Sequence, residues 1–432
     1  EAVTEHQHRP AGAGTLTKTG PGTLQLGVAT TLGGLNLAQG TLAIGLANAL
    51  AASTDLTLAA GTTFNLHGFD QTIASLSGSG IVTNDDAIGA SNAAATLTIA
   101  DDGGSFTGTI TESADDVLSL TKSGTGTQVL ASTNTYSGAT TVSGGTLAAG
   151  AADILTNSAG LNISAAGASF NLAGFDQSIS AVSGVAGGIV TNNSAAANDT
   201  ATLTITGNGG SYAGNITQSA DDALSFTKSG SGTQTLSGTN TYTGATTVNA
   251  GTLQAGAVNV LGSTSGLTLN GAGSTFNLAG FDQQVGKLDG AGGTIVTNSA
   301  GNSGDIATLT ITGGGGVFAG DITETGTATL SITKSGAGSQ TLSVVSGTYD
   351  GATTVSGGTL LITTAASLGT ASGQTTASTG TLPLGAFALA STETINQTGS
   401  GAGGVGALTG KRSVAASKAI AVTGTGAIGA SG

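Results

Sequence analysis

Apolar and polar residues alternate along most of the chain in short runs, and turns rich in glycine separate these runs. Residues 95–99 read Ala-Thr-Leu-Thr-Ile, and the same run returns at 201–205 and 307–311. A period of two is typical of a strand with one buried face. Gly-Gly, Ser-Gly and Asn-containing clusters between the runs favour turns. No stretch shows the period of an amphipathic helix, so we predict an all-β protein.

The whole pattern repeats about every 106 residues. The run Leu-Thr-Lys-Ser-Gly at 120–124 returns with one substitution at 226–230 and 332–336, and a first copy begins at Leu16. We therefore divide the chain into an N-terminal extension or cap (1–14), three repeats (15–119, 120–225 and 226–331), a partial fourth repeat (332–410) and a tail (411–432).

Short strands in long repeats predict a parallel β-solenoid rod, because each repeat must pack on its neighbours to bury its apolar face. Successive turns of a solenoid lie about 4.8 Å apart. With turns of about 20–25 residues, at the lower end of structural repeats, each repeat supplies four or five turns. Leu, Ile, Val and Ala are expected to point inward, and Thr, Ser, Asn and Asp outward.

Composition narrows the classes of function. The 432 residues include 76 Gly but only 3 Pro, and only 7% are charged. The formal net charge of −14 disfavours nucleic acid and anionic lipid surfaces as partners. Cysteine is absent, so disulfides and thiolate metal sites are excluded. No apolar run is long enough for a transmembrane helix.

Three copies of one motif carry a resemblance. The motif joins Lys-x-Gly at 122–124 to Asn134-x-Tyr136-x-Gly138 and then to Gly-Thr-Leu at 145–147. It recurs around Lys228 with Tyr242, and around Lys334 with Tyr349, where Gly347 replaces the Asn; a degenerate copy at 15–45 lacks the Asn-x-Tyr element.

This motif resembles the passenger-associated transport repeat, also called the autotransporter-associated β-strand repeat. The resemblance implies a right-handed parallel β-helix that is exported and either displayed on a bacterial surface or released from it. It implies no particular enzymatic activity.

The recurring lysines Lys18, Lys122, Lys228 and Lys334 have two interpretations. Each could form an isopeptide crosslink to an Asn or Asp side chain. A solvated lysine beside a turn is the simpler hypothesis, and we favour it.

Two aromatic positions recur in the Phe-Asn-Leu-x-Gly-Phe-Asp-Gln segment. The first is Phe64, Phe170 and Phe276, and the second is Phe69, Phe175 and Phe281. Either set could stack on sugars, but two anchors five residues apart favour packing in the core or over its flank. The same holds for Phe106, Tyr212 and Phe318.

Recurring acidic residues suggest either chemistry or turn structure. Asp70, Asp176 and Asp282 could serve a glycosidase, which needs two carboxylates at one bond. Each stands alone in its copy, so we predict that they and the adjacent glutamines cap turns. The pairs Asp85-Asp86, Asp101-Asp102, Asp115-Asp116 and Asp221-Asp222 could bind Ca²⁺ weakly at the surface, but solvated loop acids are favoured.

Histidine offers little chemistry in this chain. His67 is the one histidine within the repeats, and we expect it on an exposed loop; His6 and His8 could bind a metal weakly. No cofactor is indicated.

These observations favour a non-catalytic, structural or adhesive β-solenoid outside a bacterial cell or on its surface. Its partners would be other surface or matrix components and further copies of itself, stacked head to tail into a fibre or matrix. The alternative is a secreted polysaccharide-acting enzyme on a β-helix, which would need acids or bases clustered on adjacent turns.

Overall fold

The computed structural model describes residues 14–86, 93–101, 103–262, 266–299, 305–370, 372–384, 395–399 and 401. It describes the backbone alone of residues 11–13 and of the strands Leu408–Thr409, Ala421–Val422 and Ile428–Gly429. His6, His8 and Asp102 lie outside the described residues, as do most of the N-terminal extension and most of the tail.

The described chain is built from short strands, with one 3-10 helix at Ala365–Leu368. It divides into two compact units, Glu1–Leu224 and Ser225–Gly432. Among the residues described, no helix is both long and apolar enough to cross a membrane. The predicted all-β class is confirmed.

The first unit contains the strands β1 (Ala11–Lys18), β2 (Thr23–Leu26), β3 (Thr31–Leu37), β4 (Thr41–Ile44), β5 (Asp55–Leu58), β6 (Thr63–Asn65), β7 (Gln71–Ile73), β8 (Ser75–Gly78), β9 (Ile81–Asn84), β10 (Ala94–Ile99), β11 (Ser105–Phe106), β12 (Thr109–Glu112), β13 (Val117–Lys122), β14 (Thr127–Leu130), β15 (Thr140–Val142), β16 (Thr146–Ala149), β17 (Leu161–Ile163), β18 (Ser169–Asn171), β19 (Gln177–Ile179), β20 (Val182–Gly184), β21 (Ile189–Asn192), β22 (Thr200–Ile205), β23 (Ser211–Tyr212) and β24 (Asn215–Gln218). The boundary between the units falls within β25 (Ala223–Lys228).

The second unit continues with β26 (Thr233–Leu236), β27 (Thr246–Val248), β28 (Thr252–Ala255), β29 (Leu267–Leu269), β30 (Thr275–Asn277), β31 (Gln283–Val285), β32 (Leu288–Gly290), β33 (Ile295–Asn298), β34 (Ile306–Ile311), β35 (Val317–Phe318), β36 (Asp321–Glu324), β37 (Thr329–Lys334), β38 (Ser339–Leu342), β39 (Thr353–Val355), β40 (Thr359–Ile362), β41 (Thr375–Ala377), β42 (Leu382–Pro383), β43 (Ile395–Gln397), β44 (Leu408–Thr409), β45 (Ala421–Val422) and β46 (Ile428–Gly429).

Most strands pair in parallel with a strand one turn further along the chain. In the first unit, β5 pairs with β8 so that Leu56 lies beside Leu76. In the second, β34 pairs with β37 so that Leu309 lies beside Ile332. Parallel neighbours require a full turn of chain between them. Both units are therefore parallel β-solenoids, as predicted.

The sequence repeat does not correspond to a whole number of solenoid turns. In the first unit β5 and β18 occupy the same sheet five turns apart, in the order β5-β8-β11-β14-β16-β18. One turn crosses three faces, as β5, β6 and β7 do in three different sheets. The counterpart of β5 one repeat later is β17, which lies one face before β18. One repeat thus spans four and two-thirds turns, and equivalent residues of consecutive repeats lie on different faces.

The interior follows the predicted alternation. Strand β10 alternates solvent-facing and buried residues, and Ala95, Leu97 and Ile99 are its buried positions. The aromatic residues at the first recurring position, Phe64, Phe170 and Phe276, are fully buried. Core packing is confirmed for that position, and also for Phe106, Tyr212 and Phe318.

Amide side chains form a second, polar part of the interior, which contradicts the expectation that Asn points outward. Asn192 is fully buried. Its Oδ1 accepts the Gly174 N–H at 2.8 Å, and its Nδ2 donates to the carbonyls of Asp199 at 3.2 Å and Ala223 at 2.9 Å. Asn84 and Asn298 make the equivalent bonds. These amides satisfy backbone groups at corners where no strand can.

Buried glutamines bridge the turns on either side of a short strand. Gln340 Nε2 donates to the Leu288 carbonyl at 2.7 Å, although β35 lies between their strands. Gly316 leaves room for this bond, because a Cβ at that position would lie 2.5 Å from Gln340 Oε1. Gln128 reaches Leu76 across β11 in the first unit.

Two phenylalanines of one copy provide a matched test of the core. Phe170→Ala should lower the free energy of unfolding by about 3–5 kcal/mol, since it empties a fully buried site. Phe175→Ala should cost less than about 1 kcal/mol, because that ring is 38% exposed. Denaturant unfolding measures both, and equal losses would contradict this account of the core.

Candidate functional site

The recurring lysine lies inside the solenoid. Lys122, Lys228 and Lys334 are fully buried, and Lys18 is half-buried. The interpretation of these three residues as solvated lysines is therefore wrong. Each lies at the end of a strand, where the chain turns through Lys-Ser-Gly and its carbonyl groups lose their strand partners.

The lysine ammonium group donates to these turn carbonyls. Lys334 Nζ donates to the carbonyls of Ser335 at 2.5 Å and Gly336 at 2.9 Å. Lys122 Nζ donates to the Ser123 carbonyl, and to the previous turn through the Asp101 carbonyl at 3.4 Å. Burial lowers the pKa of Lys228 and of Lys334 below the usual lysine value. These contacts are to backbone oxygens, and the isopeptide hypothesis stays untested.

A glycine of the next turn lies over each of these carbonyl groups. Gly145 has a φ of 56°, and a Cβ there would lie 2.3 Å from the Gly126 oxygen and 2.7 Å from the Gly124 oxygen. Gly358 has a φ of 59° and stands in the same relation to Gly338 and Gly336. The Lys-x-Gly and Gly-Thr-Leu parts of the motif are thus two halves of one contact between turns.

The tyrosine of the motif fixes the next corner. The Tyr136 hydroxyl is hydrogen-bonded to Thr140 Oγ1 at 2.7 Å, and Tyr349 pairs with Thr353 in the same way at 2.7 Å. Tyr242 is equally buried and pairs with Thr246. Burial raises the pKa of Tyr136 well above its usual range, although the bond to Thr140 opposes this. These hydroxyls are structural groups.

The Asn beside the tyrosine accepts a backbone N–H. In the last copy, where this Asn is replaced, a backbone carbonyl accepts the equivalent N–H. Asn134 Oδ1 accepts the Ile110 N–H at 2.8 Å. In the last copy Gly347 stands in place of the Asn, and the Ser346 carbonyl accepts the equivalent Ile322 N–H at 3.0 Å. The donor is satisfied in both cases, once by a side chain and once by the backbone.

The Phe-Asp-Gln segment forms an exposed corner whose polar groups also bind backbone. Asp70, Asp176 and Asp282 each accept an N–H of the next turn at 2.7 Å, from Thr96, Thr202 and Thr308 respectively. The adjacent Gln71, Gln177 and Gln283 are buried and bond to the previous turn. These Asp and Gln side chains therefore cap neighbouring turns. The predicted turn capping is confirmed, and the structure identifies the partners.

The second aromatic of that corner is partly exposed. Phe175 and Phe281 are exposed by 38% and 36%, and Phe69 is half-buried. The residue three before each Asp has a positive φ: 52° at His67, 49° at Ala173 and 49° at Ala279. His67 is half-buried within this turn. The corner thus turns the second ring toward solvent while the first ring packs inside.

Two acids expected in solvent are buried. Asp222 accepts the N–H groups of Ser194 at 2.8 Å and Asp199 at 3.0 Å, and also the Ser219 hydroxyl. The hydrogen bond from the Ser194 N–H is the largest of the effects that lower the pKa of Asp222. Asp116 is held in the same way; burial alone would raise its pKa, but bonds from Asp86, Ser113 and Ala93 outweigh it. The solvated-loop interpretation is wrong for these two residues.

The described residues contain no group of three or more His, Asp or Glu side chains that could hold a metal ion. The remaining candidate chemistry is on the outward face, where threonines stand in register on successive turns. One row of the first unit is Thr72, Thr98, Thr121, Thr141, Asn162 and Ser183. One row of the second unit is Gln284, Thr310, Thr333, Thr354, Thr376 and Asn396. Such rows present hydroxyl and amide groups at the strand spacing.

The passenger-associated-transport-repeat family matches this chain at residues 16–44, 120–149, 226–255 and 332–362. The chain is also 41% identical over 157 residues to a protein of Brucella suis biovar 1 (strain 1330) named "Adhesin BmaC autotransporter". That match covers 35% of this chain and 4% of the Brucella protein. No solved structure matches the chain.

The buried lysine can be tested against an exposed one. Lys228→Met should lower the free energy of unfolding by about 1–3 kcal/mol, because buried carbonyls lose their donor. Lys287→Met is the control: Lys287 is a surface residue paired with Asp289 at 2.8 Å, so its loss should cost about 1 kcal/mol or less. Urea unfolding distinguishes the two, and equal costs would contradict a structural role for Lys228.

The buried aspartate predicts a pH dependence. The pKa of Asp222 in the folded state lies below its ordinary value of 3.8, so its contribution is complete above that value and disappears as pH falls through the folded pKa. Asp222→Ala, which copies Ala328 of the next repeat, should lower the melting temperature at pH 7. The gap from the parent protein should close on acidification below 3.8; a gap unaffected by pH would refute this.

Proposed function

We propose that this chain, which matches the passenger-associated-transport-repeat family in four segments, serves as a non-catalytic adhesive segment of an exported protein at a bacterial surface or in its surroundings. The relative in Brucella suis is named an adhesin and an autotransporter. The parallel β-solenoid supports the proposal because it displays long rows of outward side chains on a fixed backbone.

The single observation that carries the proposal is that the recurring motif residues hold the stack of turns together. Lys122, Tyr136, Asp176 and Gln177 all hydrogen-bond to backbone or to a neighbouring side chain within the stack. The repeat motif therefore builds the scaffold and leaves the outward residues, some of which vary between copies, for binding. A scaffold that carries variable contacts fits adhesion better than catalysis.

The enzyme alternative has less support. Asp70 and Asp176 each accept an N–H group of the next turn, and each is the single acidic residue of the Phe-Asp-Gln segment in its copy. A glycosidase needs two carboxylates at one bond. Assays for reducing ends released from common polysaccharides test this alternative directly.

Head-to-tail association into a fibre or matrix is the finer form of the proposal. An end strand of a parallel stack offers its backbone groups to the end strand of another copy, and association of this kind is concentration-dependent. Sedimentation velocity over a hundredfold range of concentration tests it: growing species support it, and a constant monomer refutes it.

Adhesion is tested by displaying the full chain on a non-adherent bacterium and counting cells that remain on epithelial and matrix-coated surfaces after washing. We expect at least about a tenfold gain over undisplayed cells, because many weak contacts act together. The Phe170→Ala chain, displayed at equal density, is the control for folded structure. Equal retention with and without the chain would contradict the proposal.

A further inference from the structure

Three large apolar side chains are exposed on successive turns of the second unit. Val258 is 61% exposed, Phe281 36% and Ile306 66%. We call these three residues the apolar strip. Exposed single residues of this kind are common, but a contiguous group marks an interaction surface.

Hydrogen bonds and register place the three residues near one corner on successive turns. The Asn259 N–H donates to the Asp282 carbonyl at 3.0 Å, which brings Val258 level with Phe281. The Thr308 N–H donates to Asp282 Oδ1 at 2.7 Å, and Gln283 pairs with Leu309, a register that sets Ile306 level with Gly280, the residue before Phe281, on the following turn. Neighbouring members of the strip therefore lie on adjacent turns, and adjacent turns are ~4.8 Å apart.

The strip belongs to one copy and is not required by the fold. The preceding copy has Ala152, Phe175 and Thr200 at the equivalent positions. Its corner has the same hydrogen bonds, with the Asp153 N–H donating to the Asp176 carbonyl and the Thr202 N–H to the carboxylate. Valine and isoleucine thus add exposed apolar area in the third copy without a structural task, and water disfavours such area.

Two carboxylates flank the strip. Asp282 follows Phe281 and is exposed. Asp305 precedes Ile306, and its carboxylate lies against Gly280, where a Cβ would be 3.2 Å from Oδ2. The surface therefore combines apolar contacts with negative charge, and both recur along the direction in which the turns stack.

We propose that the apolar strip binds a polymer of amino sugars, with one glucosamine-type ring on each turn. Such a ring offers a C–H face for the apolar side chain and an ammonium group for a carboxylate. An extended, equatorially linked chain advances by about one turn spacing per ring, so its period suits this surface better than the side-chain spacing of a peptide strand. This inference deepens the proposed adhesive function and rests on it.

The test measures binding to the purified full chain by titration calorimetry at pH 6, where both partners are charged. The probes are the glucosamine hexasaccharide, the N-acetylglucosamine hexasaccharide and hexalysine. The glucosamine hexasaccharide should bind, and the acetylated one should bind about tenfold more weakly because it lacks the charge. Binding should also weaken as salt rises.

The variants use the preceding copy as a template. The double variant Val258→Ala/Ile306→Thr should weaken glucosamine hexasaccharide binding about tenfold, because it removes two of three apolar contacts. Phe175→Ala, in the copy that lacks the strip, should change binding less than about twofold and serves as the matched control. Unchanged melting temperatures would show that both proteins are folded.

Three results would overturn the inference. They are no binding of the glucosamine hexasaccharide, equal binding by the double variant and the parent, and equally tight, variant-sensitive binding of hexalysine, which would make the strip a site for basic peptides. If displayed cells still adhere in any of these cases, the proposed adhesive function stands and only the proposed ligand is wrong.

Discussion

Every turn of a solenoid must satisfy backbone groups at its corners, where no strand pairing is available, and this constraint shapes the whole repeat. An unpaired backbone N–H or C=O group buried between turns costs about 1–3 kcal/mol. The chain meets the requirement with side chains: Lys334 for turn carbonyls, Asn192 for both kinds of group, and Asp282 for an N–H. The motif residues are therefore those whose length and polarity reach the next or previous turn.

The same constraint separates scaffold from surface. The motif residues that recur, such as Lys122 and Gln177, face inward or into the corners, whereas the outward face combines recurring threonines with residues such as Val258 and Ile306 that differ from their counterparts. Because one repeat spans four and two-thirds turns, a surface feature carried by one copy lies on a different face from its equivalent in the next copy of the same unit. Repetition of the scaffold thus does not impose repetition of the surface on one face, and each copy can carry its own contacts.

Local patterns in the sequence predicted the strands. Features that depend on contacts between residues far apart in the chain could not be predicted from the sequence. The alternation at 95–99 lies in β10, and Thr-Thr-Val at 140–142 is β15, because a period of two depends only on which face is buried. The burial of Lys122 was missed because it depends on carbonyls of the previous turn, such as that of Asp101. A signal was available: a lysine that recurs beside glycines, in a chain with so few charges, indicates a structural position. The apolar strip was also missed, because Val258, Phe281 and Ile306 are more than twenty residues apart and meet only through the register of the turns.

Crosslinking of engineered cysteines tests the stacking of turns most directly, because the natural chain contains no cysteine. Thr98 and Thr121 are paired outward residues of adjacent turns, and Ser119 lies two residues before that partner. The parallel register predicts that the Thr98→Cys/Thr121→Cys protein forms an intramolecular disulfide on mild oxidation, since neighbouring strands lie within the Cα separation a disulfide allows. The Thr98→Cys/Ser119→Cys protein should form it far more slowly. Equal rates in the two proteins, or no disulfide in the first, would contradict the parallel, in-register stack on which this account depends.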